Sequence, residues 1–357
     1  MRDQQSSEFR HATNMLRGVC SLGILIWHYQ HFFFIGTLEP QNSAGSNQPL
    51  WNLLKPFYLE GAFAVQIFWC ISGLILAHAY INQSKTGLAK FSLARFSRLY
   101  PLHLLTLLVV VVIQFVSMKK FNSYQIYAVN DLHHFVTNLF FIQAWGKLGD
   151  GFSFNAPTWS VSVEIVVYFI FFGVLAVLRR GRIAVPVALL IGMWFLIKKY
   201  PTINEDIFFF QCLLYFLAGV SIYFAVSFSR PITKFATLIA LVAIIRYLIP
   251  AFQPRYASIA LILVCLSAFF DTFRITNHLE RVRIVGELTY SVFLWHVPLQ
   301  MIILMIMMQF NISNSIAQSP LFLLFFLVLT YSVGYASFRW IEQPARKYIN
   351  NRFMPAQ

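Results

Sequence analysis

The stretch Leu16–Phe34, LRGVCSLGILIWHYQHFFF, decides how the rest of the chain is read. It is apolar and long enough to enter a membrane, yet it holds Arg17 near its start and His28 eleven residues later. At about 100° per residue those steps make three turns plus about 20°, so a helix here points Arg17 and His28 along one face, about 16 Å apart. His31 falls about one-sixth of a turn off His28 and about 4.5 Å further along. An ionisable side chain inside a spanning helix is costly and marks function by default. Taken alone, the simpler reading of His28 is a histidine hydrogen-bonded inside a helix bundle; a catalytic reading needs further signals.

Composition supplies the frame. Of 357 residues, 58% are hydrophobic, 17% aromatic and 11% charged, where a soluble domain carries about 25% charge. The expected fold is an all-α integral membrane protein, because backbone groups in lipid must be satisfied within helices. The net charge of +14 would suggest nucleic acid in a soluble protein, but here the basic residues sit between apolar runs. Topology is the simpler cause, and no nucleic-acid partner is expected. Cys20, Cys70, Cys212 and Cys265 all lie in apolar runs with no CxxC spacing, so neither a disulfide framework nor a metal site is expected. The first apolar run follows a polar start without a small-residue cleavage site and reads as a retained helix.

Apolar runs predict ten spans, near 15–35, 57–80, 99–117, 159–178, 183–198, 207–228, 233–250, 256–272, 287–309 and 319–338. With both termini in the cytoplasm, most of the 27 Lys and Arg fall in inner segments, as the positive-inside rule requires. The whole chain, 1–357, reads as one membrane domain, with a core over 10–346 and a short cytoplasmic tail over 347–357. Glu39 to Pro49 is a plain loop. The segment HHFVTNLFFIQAW, residues 133–145, is too short to span and reads as an interfacial or re-entrant outer helix, either covering a site or packing on the rim.

Three further motifs carry chemistry. In KFSLARFSRLYP, Arg95 and Arg98 share a face if helical, and Pro101 opens the next span. Two guanidiniums at that spacing suit phosphate oxygens, although inner-side positive charge alone would also place arginines there. In APTWSVSVEIVVYF, Glu164 lies about five residues, or about 8 Å, inside its span. His28 lies about 10 Å below the same outer face in a core of about 30 Å. A His28–Glu164 pair is therefore geometrically open, in which the carboxylate fixes the imidazole tautomer and makes it a better base; a structural Glu bonded to Ser, Tyr or Trp is the competing reading. His296, in GELTYSVFLWHVPL, is about 13 Å deep in its own span; the preferred reading is a bond to a neighbouring helix, with lining of an acyl path as the other.

With these pieces in place the chain resembles the acyltransferase-3 family of membrane O-acyltransferases. The resemblance rests on six elements in order: Arg17 to His28; FWCISGLIL with Ser72 and Gly73; Arg95, Arg98 and Pro101; Trp159, Ser160, Glu164 and Tyr168; Gly286, Tyr290, Ser291, Trp295, His296 and Pro298; and IEQPARK with Glu342 and Pro344. It implies acyl transfer, with acetyl as the expected group, from cytoplasmic acyl-CoA to a hydroxyl of a cell-surface glycan or lipid-linked sugar. It implies a multi-pass protein of a bacterial inner or plasma membrane, working beside polysaccharide synthesis or export machinery. His28 is then the catalytic base with Glu164 beside it. Arg17, Arg95 and Arg98 bind the acyl-CoA, and Ser72, Trp159, Tyr290, His296 and Glu342 support the site. Acyl-CoA is a substrate, and no permanently bound cofactor or metal is expected. Many members carry Asp three residues before the first Arg; this chain has Asn14. Ser72–Gly73 reads as a packing element, and Glu342 as a partner for Arg339 or Arg346. The competing function is a proton-coupled transporter or flippase, against which the chain shows no internal repeat and no matched pair of broken spans.

Overall fold

The structure is a computed structural model. It describes residues 11–33, 45–83, 86–149, 152–181, 183–199, 207–227, 232–234, 236–239, 243, 254–273 and 283–353. Among them the secondary structure is all helical, with no strand. The helices are α1 His11–His28, α2 Trp51–Glu60, α3 Ala64–Tyr80, α4 Leu88–Phe121, α5 Leu132–Leu139, α6 Trp159–Gly181, α7 Ala184–Lys199, α8 Ile207–Val226, α9 Pro254–Thr272, α10 Arg283–Gln309, α11 Pro320–Ser337 and α12 Gln343–Phe353. Among the described residues, six helical runs are long and apolar enough to cross a membrane: Trp51–Tyr80, Leu88–Phe121, Ala156–Arg180, Phe208–Val226, Ile284–Gln309 and Pro320–Phe353. Helices also stand at the expected spans near 15–35, 183–198 and 256–272, without meeting that standard of length and apolarity. Most of the span expected at 233–250 lies outside the described residues.

Helix lengths differ from the hydropathy windows for a physical reason. The span expected at 99–117 is a 34-residue helix, α4. At 1.5 Å per residue it is about 51 Å long, well beyond a hydrocarbon core of about 30 Å. Its first turns are polar, and Pro101 sits inside the helix instead of opening it. Likewise α11 runs through a π-helical turn, Phe338–Glu342, into α12, so 347–353, read as tail, continues a helix that packs on α4.

The described chain groups into two compact units, each built from segments far apart in sequence. The first holds residues 1–20, 63–87 and 163–287. Its centre is the pair α3 and α8, pressed backbone to backbone. A Cβ at Gly73 would collide with the Phe216 carbonyl oxygen, and one at Gly219 with that of Cys70. The Ser72–Gly73 element thus sits where the helix surface must be flat. In the same unit the start of α1 is capped from afar. Asp271, at the end of α9, accepts the backbone N–H groups of His11 (3.1 Å), Ala12 (2.7 Å) and Thr13 (3.1 Å), and the Thr13 hydroxyl (2.7 Å). A carboxylate there satisfies orphan donors and meets the positive end of the helix dipole.

The second unit holds residues 21–62, 88–162 and 288–357. Its core joins Leu25, Tyr29 and Phe32 to Val110 of α4, Val292, Val297 and Met301 of α10, and Phe326 of α11. The segment expected to be interfacial or re-entrant folds in part as the short helix α5. Asp131 caps it, accepting the His134 backbone N–H (2.9 Å) and the His134 ring Nδ1–H (2.8 Å). These bonds hold the Asp131 carboxyl below its usual range.

Candidate functional site

α1 stops being an α-helix at His28, and the chain continues as a 3-10 turn, Tyr29–Phe33. Aromatic packing anchors that turn. The Tyr29 hydroxyl donates to the Ala317 carbonyl (2.8 Å), and the Phe32 ring meets Phe322 and Phe326 at 5.1 and 5.2 Å. With about three residues per turn, side chains at i and i+3 eclipse, which keeps His31 over His28. Their ring centroids lie 5.3 Å apart.

A third imidazole joins them. His296 of α10 has its ring centroid 4.7 Å from that of His28. Each ring is fixed through Nδ1. His28 Nδ1 bonds the Ile24 carbonyl oxygen at 3.0 Å. His296 Nδ1 bonds the Phe293 carbonyl oxygen. His31 Nδ1 bonds Gln300 Oε1 at 3.0 Å, while Gln300 Nε2 donates to the His28 carbonyl oxygen at 2.9 Å. Carbonyl oxygens only accept, so Nδ1 carries the hydrogen in all three rings and Nε2 carries the lone pair when the ring is neutral. His296 is fully buried, and its Nε2 has no hydrogen-bond partner among the described residues. Tyr127 closes the group, with its ring 5.8 Å from that of His31; burial pushes the Tyr127 hydroxyl well above its usual range, so it stays protonated.

The helix that bears His296 is broken and repaired beside it. Pro298 has no N–H, so the Leu294 carbonyl lacks its helical donor. Asn155 Nδ2, just ahead of α6, donates to it at 2.9 Å. Sequence reasoning missed Asn155, although a proline four residues after a carbonyl is a signal that some side chain must supply a donor.

Other expected residues of this unit gather on α4 and α10. Arg95 and Arg98 are half-buried, three residues apart on one helical face in the first turns of α4. The Tyr290 hydroxyl donates to the Leu99 carbonyl at 2.6 Å, which locks α10 to the residue after Arg98. Glu342, buried at the end of the π-helical turn, accepts the Ser291 hydroxyl at 2.6 Å. Ser291 is thus a partner of Glu342 that the arginine-pairing expectation did not include. Trp159 opens α6.

Arg17, Ser72 and Glu164 belong to the first unit. Arg17 Nη1 donates to Asn14 Oδ1 at 3.3 Å, so the position that is acidic in many relatives of the expected family still accepts the arginine here as a neutral amide. Glu164 is half-buried on α6, within electrostatic reach of the Cys212 thiol. His28 and Glu164 thus fall in different units. Among the described residues, no cluster of His, Cys, Asp and Glu is placed to hold a metal ion.

Comparison with known proteins gives the family. A family model described as an acyltransferase domain matches residues 10–339. The acyltransferase MdmB of Streptomyces mycarofaciens is 31% identical over 112 residues, which is 31% of this chain and 27% of that protein. The match thus spans about a quarter of the relative's length. No solved structure matches. With a matched domain that covers nearly the whole chain, and apolar helices able to cross a bilayer, the protein is a multi-pass membrane protein of the acyltransferase-3 family.

Proposed function

We propose that the protein is an integral-membrane O-acyltransferase that moves an acyl group, acetyl in the expected case, from cytoplasmic acyl-CoA to a hydroxyl of a surface glycan or lipid-linked sugar. The observation that carries the reading is the state of His28. Its Nδ1–H is tied to the Ile24 carbonyl, so the neutral ring presents Nε2 as a base of fixed direction. His28 Nε2 takes the proton of the acceptor hydroxyl as its oxygen attacks the thioester carbon. Collapse of the tetrahedral intermediate breaks the C–S bond, and the thiolate leaves with that proton. Arg95 and Arg98 hold the CoA phosphates, in keeping with their position at the polar start of an over-long helix and with the planar fork of guanidinium. By sequence motif, Arg17 joins as a donor-binding residue and Glu164 as a catalytic carboxylate. Ten spans with both termini in the cytoplasm of a bacterial cell complete the proposal.

The test uses membranes containing the protein and labelled acetyl-CoA. Label should move covalently to glycan or lipid-linked sugar. His28→Ala should lose about 10²- to 10⁴-fold in kcat while still binding a CoA analogue. Uptake without covalent transfer, or near-full transfer by His28→Ala, would overturn the reading.

A further inference from the structure

We propose that His296 reads a second hydroxyl of the acceptor, so that the site takes a pair of adjacent hydroxyls, a 1,2-diol, rather than an isolated alcohol. The inference rests on His28 being the base and goes one step beyond it. Three observations carry it. His296 Nε2 is fully buried and has no hydrogen-bond donor among the described residues. Its tautomer is fixed by the Nδ1–H bond to the Phe293 carbonyl oxygen, so Nε2 can only accept. Its ring lies 4.7 Å from the ring of His28, whose Nδ1–H is likewise tied to a backbone carbonyl, leaving Nε2 as an acceptor.

A buried acceptor left without a donor costs free energy, and native proteins rarely tolerate one without use. The other side chains around the pair make contacts elsewhere. His31 and Gln300 bond one another, and Gln300 also bonds the His28 carbonyl. Tyr127 faces His31. The rings of His28 and His296 lie 4.7 Å apart, each with an Nε2 lone pair, and two neighbouring lone pairs call for two neighbouring O–H groups. In a sugar ring, adjacent hydroxyls lie within one hydrogen-bond length of each other. The hydroxyl at His28 Nε2 gives up its proton and becomes the ester oxygen. The hydroxyl at His296 Nε2 donates a hydrogen bond throughout and is unchanged in the product. His296 is thus a specificity residue, and sites built to bond a substrate hydroxyl discriminate strongly against an analogue that lacks it.

The experiment uses the full chain in membranes, [¹⁴C]acetyl-CoA as donor, and acceptor glycan isolated from host cells lacking the gene. His296→Leu removes the acceptor atom; His296→Gln keeps a carbonyl oxygen there. Expected for His296→Leu is a rise of ten-fold or more in the KM for glycan, many times any change in the KM for acetyl-CoA. His296→Gln should recover part of the glycan KM. In the wild-type product, NMR should find every acetyl ester on a carbon whose neighbour bears a free hydroxyl. An unchanged glycan KM in His296→Leu, as follows if only a water fills the site, overturns the proposal. So do equal rises in the two KM values in both variants, or esters on isolated hydroxyls. His28→Ala, run in parallel, separates the two readings: if it stays active, the base assignment falls; if it alone is inactive, only the diol assignment falls.

Discussion

Removing the carboxylate of Asp271 should unfasten the helix that presents His28. The structure sets the size of the effect. Asp271 accepts three backbone N–H groups and one hydroxyl at 2.7–3.1 Å, the N–H groups of Ala12 and Thr13 being buried. A buried donor left unsatisfied costs about 1–3 kcal/mol, and a carboxylate at a helix N-terminus adds about 0.3–2 kcal/mol from the dipole. Water can reach His11 once the side chain is gone, so Asp271→Ala should cost about 3–5 kcal/mol. Asp271→Asn keeps one oxygen but turns an NH2 toward a donor, and should fall between the two, with a loss of about 1–3 kcal/mol. The assay is thermal unfolding of the protein in nanodiscs, combined with hydrogen–deuterium exchange of the peptide covering His11–Leu16. That peptide should lose protection in both variants, more in Ala than in Asn. A change below about 0.5 kcal/mol in Asp271→Ala, the range of an ordinary surface substitution, would refute the capping argument.

Other consequences are as direct. Asn155→Ala orphans the Leu294 carbonyl and should lower stability by about 1–3 kcal/mol; Asn155→Asp should do no better, since a carboxylate cannot donate, and wild-type stability in either variant would contradict the repair of the Pro298 break. Arg95→Ala and Arg98→Ala should raise the KM for acyl-CoA far more than that for acceptor, and Lys should rescue only in part; an unchanged donor KM in both Ala variants would return these residues to topology alone. At Asp131 the lowered folded pKa makes its capping contribution present above the unfolded value of about 3.9, and lost as pH falls through the lowered value. Amide exchange in Leu132–Leu139 should therefore accelerate only in that acid window; protection that stays constant through it would remove Asp131 as the cap.

How far the sequence carried depended on whether a feature is local. Hydropathy found the long apolar helices because twenty apolar residues in a row leave few alternatives. The spacing of Arg95 and Arg98 foretold one helical face, but not that the helix begins at Leu88 and holds Pro101 in its interior. Periodicity assumed 3.6 residues per turn through Phe34, while the chain winds more tightly from Tyr29 to Phe33, where Phe32 packs on Phe322. Asp271 and Asn155 were invisible for a different reason. Each bonds a backbone group more than a hundred residues away, and no window along the sequence contains both ends. The Ser291–Glu342 bond escaped because its two ends lie 51 positions apart.

The long reach of Asp271 also has a cost in time. A ribosome adds about 5–20 residues per second, and 258 to 260 positions separate the start of α1 from its cap. From synthesis of His11 to synthesis of Asp271, on the order of ten to fifty seconds pass. Throughout that interval α1 has only water, or the machinery that inserts it, to satisfy its leading N–H groups. Its register in the bilayer is therefore fixed late, by a residue near the end of α9. A stalled or truncated chain ending before Asp271 should carry α1 as a frayed segment, open to proteases that never reach it in the finished protein.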